Sequence, residues 1–171
     1  LLRSDGRAIA FGYNDRGQCN IPGAGEASTA AFSQVAAGGS HTVLLREGVA
    51  VACGSNEDGQ LNIPELEPPM TYTHVAAGGR HTVLLRSDGT AVACGDDLYG
   101  QCNIPALEPG LSYTQVAAGR FHTVLLRSDG VAIACGDDRY RQCRLPKTEP
   151  GVSYSQVAAG GLHTVLLRSD G

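Results

Sequence analysis

Five histidines, six cysteines and two adjacent carboxylate pairs are the groups with which this chain of 171 residues could do chemistry. Four of the histidines recur at a fixed spacing. They stand at His41, His81, His122 and His163, in steps of 40, 41 and 41 residues. A zinc ion would need such ligands about 2 Å from one centre, yet equivalent positions on neighbouring packed sheets stand ~10 Å apart. The expected role is a strand-start histidine bonded to local backbone, as a buried polar side chain requires, and no metal site is expected. His74 falls outside the series, in a slot that Gln34, Gln115 and Gln156 fill elsewhere, and reads as a surface variant.

The cysteines occupy two recurring slots, filled in turn by Phe11/Cys19, Cys53/Leu61, Cys94/Cys102 and Cys135/Cys143. Where one member is missing, Phe or Leu takes its place, so the slots behave as small apolar core positions. A disulfide framework would keep both partners together, although bridges at Cys94–Cys102 or Cys135–Cys143 stay open on sequence grounds. The carboxylate pairs Asp96-Asp97 and Asp137-Asp138 align with Tyr13-Asn14 and Ser55-Asn56, which points to turn capping rather than cation binding. No nucleophile elbow, phosphate loop or zinc-protease motif occurs. The expectation is a protein that is not an enzyme and needs no cofactor.

The elements that carry these residues are set by the repeat itself. Gln115-Val116-Ala117-Ala118-Gly119-Arg120-Phe121-His122-Thr123-Val124-Leu125-Leu126-Arg127-Ser128-Asp129-Gly130 has close copies at each histidine. A fixed period of 20–50 residues marks a solenoid, propeller or other array. Within each unit, β-branched and apolar runs such as Thr42-Val43-Leu44-Leu45 alternate with Gly-rich turns, and Asp-Gly supplies the positive φ a hairpin needs. In repeat two the turn is Glu47-Gly48, one residue shorter. The reading is all-β: about four visible blades of four short antiparallel strands, the fourth being the edge segment Gln-x-x-x-Pro at 18–22, 60–64, 101–105 and 142–146. In Val131-Ala132-Ile133-Ala134-Cys135 large residues line one face and alanines the other, so both faces are expected to be dry, packed between neighbouring sheets as propeller blades are. The whole of 1–171 reads as one array, with units at about 1–30, 31–70, 71–111, 112–152 and a partial 153–171. Arg7–Gly12 is expected as a strand and Gly23–Ala30 as a small-residue linker.

Composition narrows the function classes. Net charge is −4, with twelve arginines and a single lysine, Lys147, and no basic run, so nucleic acid is not expected as a partner. No apolar stretch approaches the ~20 residues of a membrane-spanning helix, and a soluble cytoplasmic or nuclear protein is the expectation. The chain begins Leu1-Leu2-Arg3-Ser4-Asp5-Gly6 and ends on the same six letters at Leu166–Gly171. That reads as a piece of a longer array, with any targeting signal elsewhere.

The loops Phe11-Gly12-Tyr13-Asn14-Asp15-Arg16-Gly17-Gln18-Cys19 and Cys53-Gly54-Ser55-Asn56-Glu57-Asp58-Gly59-Gln60-Leu61 align with each other. With the Val-Ala-Ala-Gly-x-x-His lead-in and the Asp-Gly turn, they resemble the repeats of the regulator of chromosome condensation (RCC1) family over essentially the whole chain. The resemblance implies a β-propeller, typically seven-bladed. Family members include an exchange factor for the small GTPase Ran, the plant ultraviolet-B receptor and docking domains of HECT-type ubiquitin ligases. This chain departs from the pattern. Phe11, Cys53, Cys94 and Cys135 stand at the tryptophan position, Arg141 replaces the loop glycine of Gly17, Gly59 and Gly100, and large blade insertions are missing. Without tryptophans, ultraviolet sensing is disfavoured.

Comparison among the copies singles out the positions left for a partner. Those that change are Ser40, Arg80, Phe121 and Leu162 before the histidine, with Arg120 beside Phe121, and the loop tips Asp15-Arg16, Glu57-Asp58, Leu98-Tyr99 and Arg139-Tyr140. Arg, Tyr and Phe are enriched in interface hot spots. The expected partner-binding residues are therefore Arg80, Arg120, Phe121, Leu162, Tyr99, Tyr140 and Arg139. The expected function is a non-enzymatic propeller scaffold docking another protein, perhaps-free of catalysis itself within a larger assembly; the alternative that the family implies is guanine-nucleotide exchange on a small GTPase.

Overall fold

Short apolar runs punctuated by glycine fold here into hairpins and nothing longer. The computed structural model describes residues 1–23 and 31–171, and within them every named element is a strand. They are β1 (Gln34–Ala37), β2 (His41–Arg46), β3 (Val49–Gly54), β4 (Tyr72–Ala77), β5 (His81–Arg86), β6 (Ala91–Gly95), β7 (Tyr113–Ala118), β8 (His122–Arg127), β9 (Ala132–Gly136), β10 (Tyr154–Ala159) and β11 (Thr164–Arg168). All pairings are antiparallel. The sheets run β1-β2-β3, β4-β5-β6 and β7-β8-β9, with a two-stranded sheet β10-β11. The linker expected at Gly23–Ala30 lies, beyond Gly23, outside the described residues.

Two expectations are corrected. The sheets hold three strands, not four. The Gln-x-Asn-Ile-Pro segment stays out of the ladder because its amides are spent locally, as in Asn62 N–H to Gly59 O (3.0 Å) and Ile63 N–H to Leu61 O (2.8 Å), and its proline has none to give. It serves the next repeat instead: the hydroxyls of Tyr72, Tyr113 and Tyr154 donate to the carbonyls of Pro64, Pro105 and Pro146 (2.7, 2.8 and 2.7 Å). Arg7–Gly12 likewise forms no strand. Leu2 opposite Ala8 is its one isolated bridge.

The hairpins follow their turn chemistry. Glu47 and Gly48 both take positive φ (51° and 77°) between paired Arg46 and Val49, the two-residue turn that matches strand twist. The longer Ser-Asp-Gly turns place only their glycine there, at φ 81° for Gly89.

The core lies between sheets rather than at a common centre. Leu45 meets Tyr72 and Leu84, and Leu85 meets Tyr113 and Leu125, each cluster joining two successive sheets. The middle strands β2, β5 and β8 are therefore buried on both faces, and Val43, Leu44, Val83, Leu84, Val124 and Leu125 are wholly inaccessible. The outer strands are drier than a solvated sheet and wetter than expected: Ile133 is half-buried, while Val49 and Val131 are exposed. Among the described residues no helix is long and apolar enough to cross a membrane.

Candidate functional site

The repeated histidines do not bond local backbone, as the sequence reading held. They tie each sheet to the next. Nε2 of His41 meets Thr82 Oγ1 (3.0 Å), that of His81 meets Thr123 Oγ1 (2.9 Å) and that of His122 meets Thr164 Oγ1 (3.1 Å). Each threonine hydroxyl gives its own proton to a carbonyl, Thr82 to Gln60 O and Thr123 to Gln101 O (both 2.7 Å). It can then only accept from the imidazole, which fixes a neutral ring protonated on Nε2. Nδ1 of His41, His81 and His122 is buried with no hydrogen-bond partner. Burial pushes His41 and His81 down to about 4; at His81 the neighbouring His41 and His122 add to the effect. His122 is lowered for the same first cause, partly offset by Asp137.

The glycine three residues before each histidine is set by this packing. A Cβ on Gly78 would stand 2.3 Å from His81 Cε1 and 2.6 Å from the Gly119 carbonyl oxygen, and Gly38 and Gly119 are hemmed in alike. Here the backbones of successive sheets touch: Gly39 N–H donates to Gly78 O (3.0 Å), Gly79 to Gly119 O (3.1 Å) and Arg120 to Gly161 O (3.0 Å).

A second tie escaped the sequence reading. Gln34 Nε2 donates to Thr73 O (2.7 Å) while its Oε1 accepts from Val75 N–H (3.2 Å), clasping the next sheet's first strand. Gln115 does the same with Ser155 O and Val157 N–H (2.8 and 3.2 Å). His74 stands in this slot, exposed, and reaches only Thr73 Oγ1 (3.3 Å). His74→Gln should therefore supply the missing clasp, to Thr114 O and Val116 N–H. Two such bonds are worth ~1 kcal/mol after competition with water. The expected result is a higher urea midpoint with an unchanged m-value, and an unmoved midpoint would refute the clasp.

The thiols are inert. All six cysteines are unbridged, so neither Cys94–Cys102 nor Cys135–Cys143 forms a disulfide. Burial pushes Cys94 and Cys143 up to about 11 and Cys102 and Cys135 to about 12, with nearby carboxylates adding to the shift at Cys102 and Cys143. The carboxylate pairs cap turns: Asp97 Oδ1 accepts from Cys102 N–H (2.8 Å), Asp138 Oδ1 from Cys143 N–H (3.1 Å) and Asp96 Oδ1 from Leu98 N–H (3.0 Å). Among the described residues no three His, Cys, Asp or Glu side chains are grouped to hold a metal ion. Arg141 keeps the left-handed loop conformation of the glycines it replaces, at φ 65°.

Of the seven predicted partner-binding residues, four form one stack. The rings of Tyr99 and Phe121 lie 5.3 Å apart at 59°. The Arg120 guanidinium sits 5.0 Å over Phe121, and that of Arg139 4.7 Å over Tyr99. Arg139 is anchored from behind by two hydrogen bonds to the buried Asp137 carboxylate (2.9 and 3.1 Å), which hold that carboxyl below the usual range. Arg80 lies 3.7 Å from Asp58 and borders the same hollow of about 750 Å³, which follows the ends of β1, β4, β7 and β10. Tyr140 and Leu162 are elsewhere, on a separate hollow of about 480 Å³ toward the end of the chain.

The stack corrects one premise. The variable positions are not left unused by the fold, because they meet each other across sheets. A loop tip pairs with the next loop tip, as in Arg16 with Glu57 and Tyr99 with Arg139. It also pairs with the residue before the next histidine, as in Asp58 with Arg80 and Tyr99 with Phe121. The complementary types, one repeat apart, were the available signal.

Sheets of three short antiparallel strands, stacked face to face and tied at one edge, define a β-propeller. The sequence matches the Regulator of chromosome condensation (RCC1) repeat at residues 32–60, 72–101 and 113–142, just over half of the chain, and the chain belongs to that family. No curated protein matches it in sequence. Its fold is similar to the ectodomain of the receptor kinase CR4 from Physcomitrella patens (TM-score 0.75, 18% identity, 98% of this chain and 46% of that one). It is similar also to human WBSCR16 (0.69, 21%, 82% and 46%) and to Prp20p from Saccharomyces cerevisiae (0.69, 22%, 81% and 43%). The chain thus spans less than half the length of these structures, and at such identities the likeness is one of fold.

Proposed function

We propose that this chain is a non-enzymatic scaffold that docks another protein at the Arg120–Phe121–Tyr99–Arg139 stack and the hollow beside it. The observation that carries the reading is the stack itself: two aromatic rings between two guanidinium groups, with Leu98 78% exposed at its margin. Rigid aromatics flanked by arginine are the side chains on which binding energy concentrates. The hollow's rim carries Arg80 and Arg120 against Asp96. An acidic segment bearing a large apolar residue suits it, the carboxylates meeting the guanidinium groups.

The structure of Prp20p is described with its binding to Gsp1p and histones, and that relative supplies the second reading, nucleotide exchange on a small GTPase. One set of variants tests both. Acidic, leucine- or phenylalanine-bearing peptides on an array should bind the parent chain, and Phe121→Ala or Arg120→Ala should weaken them roughly 30-fold, the loss of about 2 kcal/mol of a hot spot. Equal binding by parent and variants would remove the docking reading. Acceleration of GDP release from a Ran-class GTPase would favour exchange in its place.

A further inference from the structure

The same residue meets opposite fates along the array. Val43, Val83 and Val124 are wholly buried, and Val165 is 56% exposed; Leu45, Leu85 and Leu126 are buried, and Leu167 is 47% exposed. The β10-β11 sheet has two strands where the others have three, so β11 presents an unpaired edge. On that edge β8 carries β9, with Leu126 opposite Ala132, Leu125 opposite Ile133, Val124 opposite Ala134 and His122 opposite Gly136.

The complementary piece lies at the other end. Arg7-Ala8-Ile9-Ala10-Phe11-Gly12 follows Ser4-Asp5-Gly6 as Val131–Gly136 follows Ser128-Asp129-Gly130. It is a third strand without a sheet. Its isolated bridge is to Leu2, and Ile9 and Phe11 are 45% and 75% exposed beside a hollow of about 410 Å³. The polar groups match as well. His163 is exposed, whereas its three equivalents each reach a threonine of the following sheet. Thr42 donates to Gln18 O (2.8 Å) like the other threonines, yet no histidine reaches it among the described residues. Gln156 stands exposed where Gln34 and Gln115 clasp a neighbour.

We infer that a second copy of this chain docks head to tail on β11, its residues 7–12 adding to that edge as the third strand. The register follows from the existing sheets: Leu167 opposite Ala8, Leu166 opposite Ile9, Val165 opposite Ala10 and His163 opposite Gly12. His163 then reaches the second copy's Thr42, and Gln156 its Ser33 O and Val35 N–H. Only Leu1–Arg3 must give way. They carry the letters of Leu166–Arg168, and they hold residues 7–9 by little more than the Leu2–Ala8 bridge and the bonds of Ile9 N–H to Leu1 O and Arg3 N–H to Arg7 O (both 2.8 Å). The interface between copies continues the one already built between sheets. Because the chain covers 46% of a solved propeller of this fold, two copies amount to most of one ring, and exchange at both ends closes rather than growing into a fibre.

Sedimentation velocity on residues 1–171, from about 1 to 200 μM, should show a monomer passing into a dimer. The double variant Val165→Glu, Leu167→Glu places carboxylates on side chains already exposed in the monomer, so its urea midpoint at low concentration should match the parent. Its self-association should weaken by roughly 100-fold or more. Hydrogen exchange should show the amides of Thr164–Arg168 and Ala8–Ala10 gaining protection as concentration rises, while those of β5 do not change. A chain that stays monomeric throughout overturns the inference, and is the result expected if further repeats of a longer polypeptide cover these faces. Association that leaves both segments unprotected, or that the double variant does not weaken, overturns it too.

Discussion

Between pH 7 and pH 5 this chain should lose roughly 4 kcal/mol of unfolding free energy, without any carboxylate titrating in that window. The cause is the histidine series. In the unfolded chain His41 and His81 take up a proton near 6.5, whereas in the folded chain burial pushes both down to about 4. Above pH 6.5 both states hold the rings neutral and nothing is lost. As pH falls from 6.5 towards 4 the unfolded state binds more protons, so stability falls, by up to roughly 3 kcal/mol per ring once the folded value is reached. The geometry explains why the folded state resists. A second proton would go on Nδ1, which is buried and has no acceptor. Asp88, Asp129, Asp137 and Asp170 are lowered by their hydrogen bonds to Thr90, Arg127, Arg139 and Arg168. Their contribution is present above the ordinary carboxylate range and lost only below it, so it falls in a separate, more acidic window. Urea unfolding at pH 7 and pH 5 measures the difference, and His81→Gln should remove about half of it. Equal stability at the two values would sink the account.

How much of this was legible in the sequence depended on whether a residue acts within its repeat or between repeats. The fixed period, the Asp-Gly turns and the alternation in runs such as Val131–Cys135 reveal hairpins and their stacking, since these are local signals. The destination of a histidine's Nε2 is not local. His81 finds Thr123, 42 residues on, and nothing in either repeat alone marks the pair. The same holds for Gln34 with Val75, and for Tyr99, whose partners Phe121 and Arg139 sit in the following repeat. Reading the copies as independent made such positions look unconstrained. Reading each against its successor would have exposed them, as the opposite charges of Asp58 and Arg80 already hint. The edge segment was misread because Gln-x-Asn-Ile-Pro alternates like a strand, while the turn before it consumes its amides.

Leu125→Asp should abolish cooperative unfolding of the array, the largest effect of any single change considered. Leu125 is wholly buried where Leu85 and Tyr113 meet, with Ile104, Val116 and Ile133 around it. Truncating a leucine at such a site costs about 2–5 kcal/mol. The aspartate adds a carboxyl with no partner in an apolar junction, and keeping it protonated at pH 7 costs roughly a further 4 kcal/mol. The sum rivals the whole stability of an ordinary domain, ~5–15 kcal/mol. In a stacked array, however, each unit leans only on its neighbours. The defect should therefore uncouple the sheets on either side of Leu125 before it disturbs β1-β2-β3, so hydrogen exchange should speed up in β5, β7 and β8 first. Leu125→Ala should fall between the parent and the aspartate variant. A melting temperature for Leu125→Asp within a degree or two of the parent would mean that the sheets do not hold one another dry at this junction, and the stacking that orders every other contact would have to be abandoned.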